Sequence, residues 1–582
     1  MILKPALLVL LVAVIALSIV SVARSNYRGV RAGHADADYI DSKKCIACHD
    51  DHYQSWARTY HRRMTQDARL GFVQGDFDRA NTFDYQGIKA RMERRGAEFF
   101  MTFTLPDGRV ESKRIVRTVG SRRIEQYISE EQGQHTREPL AYDLTNRRWM
   151  SLNGSFFHPD GKPYFHLRAP WDPNCVFCHN VKAQPGLDQR SRLFKTEVAE
   201  LGIACGACHG PGAVHADLAA SPFTRARWRL DRRAPREIVN PRRLDPGRSL
   251  MVCGHCHGQR IPEPLGRIQD IMTRGDPYNA GDDLSMYYRP IGHGTRVGSY
   301  SFAPRFWPNG SPRLTAYEYQ GLLRSACFIK AGRSERITCL SCHSMHAGDP
   351  KGQITEANRT DKPCLACHRP YEEAAALVAH TGHPAGSSGS RCYTCHMPRV
   401  VYGIMSVHPT HEITVPDPRL TYTQHVPNAC NQCHLDQSVN WAVRESKRLW
   451  PQRFRQARVS ADAQFEVSEG ARALFAGDAL TRALAAEALS TQVGPGRRTT
   501  WAGALLAEAL KDNYPIVRYF AVGGLARYWP EVRQPDYLDP IACGDAVGRY
   551  VVLYEGQLRD RTARMAEMLR KKRTEADVEV GE

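Results

Sequence analysis

The stretch Cys45-Ile46-Ala47-Cys48-His49 carries a C-x-x-C-H pattern that occurs eight times along the 582 residues. The other seven copies begin at Cys175, Cys205, Cys253, Cys339, Cys364, Cys392 and Cys430. Together the copies use 16 of the 18 cysteines. This regular spacing is not that of a disulfide framework, so the cysteines must serve another purpose.

C-x-x-C-H is the attachment signature of c-type haem, in which both thiols form thioethers to the porphyrin and the adjacent histidine becomes the proximal iron ligand. Two intervening residues place both sulfurs on one side of a single turn. We therefore predict eight covalently bound c-type haems. The second cysteines of the motifs are Cys48, Cys178, Cys208, Cys256, Cys342, Cys367, Cys395 and Cys433. The predicted proximal ligands are His49, His179, His209, His257, His343, His368, His396 and His434.

Zinc is the alternative cofactor for a C-x-x-C pair, and a zinc site usually needs two such pairs for each metal ion. In this chain every pair is followed at once by histidine. Zinc coordination imposes no such rule, so the pattern favours haem.

The haem motifs are dense. The 390 residues from Cys45 to His434 provide about 49 residues for each motif. So short a length cannot wrap each haem in its own pocket, and neighbouring haems must pack against one another as part of the core. Because close haems exchange electrons, the density predicts an array that conducts or stores charge.

The formal net charge of +18 does not by itself point to nucleic acid. Eight haems carry two propionates each, about −16 in all, and the arginine excess can neutralise them. No DNA-binding pattern accompanies the charge. We expect redox partner proteins and no nucleic-acid partner, and the sequence leaves a homo-oligomer open.

The N-terminus predicts export. An apolar run from Ala6 to Ala23 follows Lys4, which is typical of a signal peptide or of an uncleaved signal anchor. Haem attachment of this kind takes place outside the cytoplasmic membrane. We therefore expect a protein of the periplasm or of the extracytoplasmic membrane face, with residues 6–23 as a possible single anchor.

The rest of the chain divides by composition. Residues 24–40 form a polar tether, and residues 41–445 form the octahaem domain with a β-rich insertion at about 84–150. Within that insertion, Pro106-Asp107-Gly108 predicts the turn of a small β-hairpin. Residues 446–569 are predicted to form a helical domain, and residues 570–582 a charged tail. The predicted fold class is mostly α with extensive loops.

The helical domain shows an internal repeat. Residues 477–489 align with residues 513–525 at an offset of 36, and the pairs Arg482/Arg518, Ala485/Ala521 and Leu489/Leu525 coincide. A period of this size resembles HEAT-type or tetratricopeptide-type repeats. An ordinary helical cap with chance similarity is the alternative.

The motif spacing does not assign the second axial ligands, because 15 histidines lie outside the motifs. That number permits a second histidine on every iron, and Met64 is an alternative ligand. Two cysteines, Cys327 and Cys543, also lie outside the motifs and can pair or stay free.

Segments around the motifs resemble a known family. They include Trp56-x4-His61-x2-Met64, Cys208-His209-Gly210-Pro211-Gly212-x2-His215, His343-x2-His346, His383-Pro384, His411-x3-Val415-Pro416 and Pro427-Asn428-Ala429-Cys430. These segments resemble multihaem c-type cytochromes related to the tetrahaem partner of hydroxylamine oxidoreductase. The resemblance covers residues 41 to about 445. It implies the distal iron ligands His61, His166, His215, His346, His383, His411 and His425.

Two functions follow from these predictions. The first is an electron carrier between a membrane or periplasmic donor, such as a quinol-linked complex or another cytochrome, and an acceptor. The second is a multihaem oxidoreductase that acts on a small nitrogen or sulfur compound at one iron with an open position. The C-x-x-C-K variant that marks many nitrite reductases does not occur, and no catalytic residue can be singled out. An electron carrier requires only the haem motifs that the sequence shows, whereas an oxidoreductase also requires an open iron. The sequence therefore favours the electron carrier.

Overall fold

A nine-stranded antiparallel sheet lies between the first and the second motif. The computed structural model describes residues 38–575 and Val578, apart from residues 80, 232–234, 315, 349–351, 403, 492–499 and 553–555. The prediction of a mostly α fold with only a small β-hairpin insertion is therefore wrong. The predicted signal segment 1–23 and most of the tether lie outside the described residues. None of the helices that the structure describes has the length and apolar character needed to cross a membrane.

The strands of the large sheet run from Thr65 to Pro170. They are β1 (Thr65–Asp67), β2 (Asn81–Tyr85), β3 (Ile88–Arg95), β4 (Glu98–Thr104), β5 (Val110–Val119), β6 (Ile124–Glu131), β7 (Gln134–Asp143), β8 (Arg148–Ser151) and β9 (Ala169–Pro170). Strands β2 to β8 follow one another in order, β1 pairs with β5, and β9 pairs with β7. Four short antiparallel pairs lie further along the chain: β10 (Asn180–Gln184) with β11 (Glu197–Leu201), β12 (Arg260–Pro262) with β13 (Tyr288–Pro290), β14 (Arg296–Val297) with β15 (Tyr300–Ser301), and β16 (Arg399–Tyr402) with β17 (Ser406–Pro409).

The burial pattern explains why the sequence revealed only part of the sheet. In β4 the side chains alternate, with Phe99, Met101 and Phe103 buried, and this strand belonged to the predicted hairpin. In β6, residues 124–129 are all buried. A strand covered on both faces has no period of two, so the pattern that identifies β4 does not identify β6.

Short helices dominate the motif region. They are α1 (Ile46–Ala57), α2 (Val176–His179), α3 (Cys205–His209), α4 (Ala213–Ala220), α5 (Pro222–Leu230), α6 (Pro246–Gly254), α7 (Arg267–Arg274), α8 (Glu318–Arg324), α9 (Ala326–Ile329), α10 (Lys362–Leu365), α11 (Ala374–Thr381), α12 (Cys392–His396), α13 (Arg419–Gln424), α14 (Val439–Leu449) and α15 (Pro451–Phe454). Such short helices cannot bury a core of their own, and they depend on what they pack against.

The C-terminal region is helical. Its helices are α16 (Glu469–Ala476), α17 (Ala479–Thr491), α18 (Thr500–Ala509), α19 (Pro515–Tyr528), α20 (Pro540–Val551) and α21 (Gly556–Arg570). Helices α17 and α19 begin 36 residues apart, at the offset of the sequence repeat, and they pack against each other. The assignment to a named repeat type and the domain boundaries stay predictions.

The repeated arginines are both fully buried and both paired with carboxylates. Arg482 pairs with Asp512 at 2.8 Å. Arg518 donates to both carboxylate oxygens of Asp160, at 2.7 and 2.9 Å, and its Nε donates to the carbonyl of Tyr537 at 2.8 Å. Asp160 lies between β8 and β9 in the chain, so this ion pair ties the sheet region to the C-terminal helices.

We expect Arg518→Ala to lower the free energy of unfolding by about 3–5 kcal/mol, because it leaves the carboxylate of Asp160 without its buried partner. Chemical denaturation followed by circular dichroism measures the change. The exposed residue Arg549 on α20 provides the control, and Arg549→Ala should cost less than about 0.5 kcal/mol. Equal effects of the two variants would show that the ion pair does not join the two regions.

Candidate cofactor site

Each motif folds as a compact turn. His257 and His343 donate their backbone N–H to the carbonyl of the first cysteine of their own motif, both at 2.8 Å. His179, His368 and His434 do the same at 3.0–3.2 Å. This bond spans four residues, so it brings the two cysteines and the histidine of one motif around a single turn. The local geometry is the one that the motif predicts.

All eight motifs border one connected cavity of about 3480 Å³. The lining also includes apolar side chains such as Val119, Ile203 and Leu322. Divided among eight motifs, the volume is about 435 Å³ for each, within the range of about 300–1,000 Å³ for one small-molecule pocket. The cavity thus has room for a large group at every motif.

The walls of the cavity are largely apolar, and apolar surface left in water forfeits about 25 cal/mol for each Å². Bound groups that cover these walls would therefore add to the core of residues 38–454.

Six of the eight motif histidines face a second histidine. Five of these pairs border the cavity, and the pair of His383 and His434 lies outside its lining. The ring centroids of the six pairs are 6.4 Å apart for His49–His215, 6.1 Å for His61–His257, 6.0 Å for His209–His346, 6.3 Å for His343–His411, 6.1 Å for His380–His396 and 5.9 Å for His383–His434. An iron bound to two imidazoles, with metal–nitrogen bonds of about 2.0 Å, places their centroids about 6 Å apart. The residues therefore fit six-coordinate haem iron.

Backbone carbonyls orient several of these rings. Nδ1 of His209 lies 2.6 Å from the carbonyl of Val239, and Nδ1 of His396 lies 2.7 Å from that of Thr414. His343 and His383 have equivalent contacts with the carbonyls of Gly352 and Thr381, at 3.0 and 2.7 Å. A carbonyl only accepts, so Nδ1 carries the proton and Nε2 keeps the lone pair that a metal needs.

Burial favours the neutral form of the facing histidines. It lowers the pKa of His61 to about 4, with smaller contributions from the charges of His257 and His343. Burial also lowers the pKa of His346 to about 4, helped by the charge of His52. Both imidazoles are unprotonated near neutral pH, which is the state that binds a metal.

His257 has a different environment. Burial lowers its pKa, but the Glu318 carboxylate, 3.8 Å from its Nδ1, outweighs burial and raises the pKa to about 9. Burial raises the pKa of Glu318 in turn, and His257 outweighs that effect and lowers it to about 2. A carboxylate behind a metal-bound imidazole increases the electron donation of that ligand.

The structure places five of the seven predicted distal ligands opposite a motif histidine, and two elsewhere. His61, His215, His346, His383 and His411 face motif histidines, as given above. His166 is exposed and lies edge-on to His158 at 4.8 Å. His425 is exposed at the C-terminal end of α13. Neither of these two residues lines the cavity.

His380 was not among the predicted ligands, although it faces His396. The sequence contains a weak signal for it, because His380-x2-His383-Pro384 offers two histidines at the end of one helix. His179 and His368 differ from the other motif histidines, since no ring contact within the described residues joins either of them to another histidine. The fold therefore treats the second and the sixth motif differently from the rest.

Thiols of neighbouring motifs connect the eight copies. Cys205 raises the pKa of Cys45, Cys256 lowers that of Cys178, Cys339 raises that of Cys253, and Cys392 lowers that of Cys364. In the same way, Cys253 raises the pKa of Cys208, Cys342 that of Cys364, and Cys433 that of Cys395. In the numbering of the motifs along the chain, the contacts give the order 1-3-4-5-6-7-8, with motif 2 beside motif 4.

All 18 cysteines are free thiols, Cys327 and Cys543 included. Burial raises the pKa of Cys327, with a smaller effect from Cys367. Cys543 lies instead among the C-terminal helices, where its thiol donates to the carbonyl of Asp536 at 3.3 Å. Over the residues that the structure describes, no group of three or more His, Cys, Asp or Glu side chains is arranged to hold a metal ion by itself.

A comparison with protein families finds no match, and a comparison with curated proteins finds none either. Among solved structures, the chain is similar to the outer cell wall cytochrome OcwA. The two share 15% sequence identity with a TM-score of 0.46, over 91% of this chain and 99% of the other. This distant similarity is to a cytochrome, and it does not assign a family.

We expect the chain to lose the structure of its motif region when it is produced without cofactor, since nothing then fills the cavity. Limited proteolysis compares chain made in the cytoplasm with chain exported through a haem-attachment system. The cytoplasmic chain should be cleaved rapidly within residues 41–445, and the exported chain should resist. Equal resistance would mean that the protein alone supports the cavity.

Proposed function

We propose that this chain is an exported octahaem c-type cytochrome that carries electrons between a membrane or periplasmic donor and an acceptor. Two observations carry the proposal: all eight motifs border one cavity, and six motif histidines face a second histidine. The cysteine pairs would hold the porphyrins, and the facing histidines would hold the irons. Haem bound in this way supplies one-electron redox chemistry.

The residues of the chain contribute rigidity and continuity to this function. The carbonyls of Val239, Gly352 and Thr414 hold imidazole rings in place, so the ligand geometry changes little when charge arrives. The fold places cysteines of neighbouring motifs close together, so haems attached to them would be neighbours as well. Two facing histidines also fill the coordination sphere of an iron and leave no position for a substrate, which suits a carrier.

Removal of one facing histidine tests the proposal. His380→Ala should convert about one iron in each molecule from low spin to high spin, because the iron of the seventh motif loses its second ligand. Electron paramagnetic resonance of the oxidised holoprotein measures the change. His425→Ala is the matched control, since His425 is exposed and outside the cavity, and it should leave the spectrum unchanged. A holoprotein without eight haems, or a spectrum unaffected by His380→Ala, would contradict the proposal.

A second candidate function is catalysis at an open iron, as in oxidoreductases of small nitrogen or sulfur compounds. Two observations favour it. His179 is half-buried and has no facing histidine within the described residues. In addition, the cavity lining contains Ser121, Arg123 and His408, each with a buried polar atom that has no hydrogen-bond partner. Burial lowers the pKa of Arg123, and the neighbouring charge of Arg122 adds to the effect.

Carbon monoxide separates the two functions. If the second candidate is correct, carbon monoxide binds about one or two irons in the reduced holoprotein, and His179→Ala removes one of these sites. Optical difference spectroscopy counts the adducts. If every iron is closed, as a simple carrier requires, no adduct forms and the second candidate is excluded.

A further inference from the structure

The surface beside the first motif contains an unusual helix. Helix α5 has the sequence Pro-Phe-Thr-Arg-Ala-Arg-Trp-Arg-Leu, with three arginines and no acidic residue. Ser221 caps its N-terminus by accepting from the backbone N–H of Thr224, and Pro222 occupies the first turn. The helix is therefore well defined although only nine residues long.

One face of α5 joins the surface to the first motif. The ring of Trp228 stacks on His215 with the centroids 5.4 Å apart and the planes 9° apart. His215 in turn faces His49. Trp228 is half-buried and lines the cavity. A continuous column of rings thus runs from the helix to the histidine pair of the first motif.

The opposite face of α5 lies open to solvent. Phe223 is 86% exposed and Leu230 is 84% exposed. They are seven positions apart, so they lie on the same side of the helix, and Arg227 lies between them. Solvent exposure of large apolar side chains beside arginine is typical of a protein contact surface, where aromatic residues and arginine are enriched.

The surrounding chain is strongly basic. Residues 221–248 contain nine arginines and three acidic residues. Arg225 is bound locally, because it donates to the carbonyl of Ala220 at 3.0 Å. Arg229 is exposed near the C-terminal end of the helix and also borders the cavity. Exposed arginine attracts an acidic partner and accelerates its approach.

We propose that the exposed face of α5 docks an acidic one-electron carrier protein, which exchanges one electron with the haem of the first motif beside Trp228. This inference rests on the proposed function. The partner loses one electron and the haem iron gains it, or the reverse. An anionic membrane is the other possible occupant, but a lipid surface has no use for a ring column that leads to a redox centre.

Charge reversal on α5 tests the docking surface. Reduced plant-type [2Fe–2S] ferredoxin, an acidic one-electron donor, serves as the probe, and anaerobic stopped-flow absorbance follows haem reduction. The double variant Arg227→Glu/Arg229→Glu should slow the second-order reaction at least about tenfold at low salt. It should also reduce the dependence of the rate on salt, because the screened attraction has been removed.

The matched control is Arg190→Glu/Arg192→Glu. These two exposed arginines have the same spacing, lie outside the cavity, and produce the same change in net charge. The control should react at nearly the wild-type rate. An equal loss in both double variants would overturn the proposal, since it would reflect net charge and not α5. A rate that does not depend on salt in the wild type would overturn it as well.

Two further measurements distinguish a failure of the docking surface from a failure of the proposed function. The haem content and optical spectrum of the holoprotein test the proposed function alone, and a chain without haem fails there first. Full haem content with no rate change in the α5 variant would overturn only the docking surface. Binding to phosphatidylglycerol vesicles that is lost in the α5 variant, without an effect on the ferredoxin reaction, would assign the surface to a membrane and overturn the protein partner.

Discussion

The volume enclosed by the eight motifs is the constraint on which the rest of the molecule depends. The cavity of about 3480 Å³ has largely apolar walls, which groups bound at the motifs would shield from water. This explains why residues 175–434 contain short helices, two-stranded pairs and long loops. Such elements are adequate where the core is a ligand array and not a set of packed side chains.

Two parts flank the motif region, namely the nine-stranded sheet and the C-terminal helices. Each of these flanking parts has a large core of packed apolar side chains. The sheet buries an aromatic cluster that includes Phe77, Phe103 and Trp149. The C-terminal helices bury alanines and leucines. Arg518 connects them to Asp160, in the segment between β8 and β9. The turn between β5 and β6 also reaches the cavity, where it contributes Arg122 and Arg123 to the lining. The flanking parts therefore support the cavity and complete its wall.

Parts of the fold with a clear local signal could be predicted from the sequence, and parts without one could not. The hairpin of β4 and β5 has alternating side chains around an Asp-Gly turn, and it was found. Strands such as β6, buried on both faces, have no alternation, and the sheet was taken to be much smaller than it is. In the C-terminal region an offset of 36 residues repeats apolar positions, and helices α17 and α19 begin at that same offset.

The sequence by itself predicted the chemistry of attachment, because two thiols and a histidine within five residues form a complete local unit. Each motif needs only one turn of backbone to bring its three side chains together. Which histidine faces each motif was decided by the tertiary structure. His61 reaches His257, and His215 reaches His49, across long stretches of chain. The spacing of residues in the sequence does not predict such pairs, so His380 was not among the predicted ligands. Only the folded chain shows that His179 and His368 have no facing histidine within the described residues.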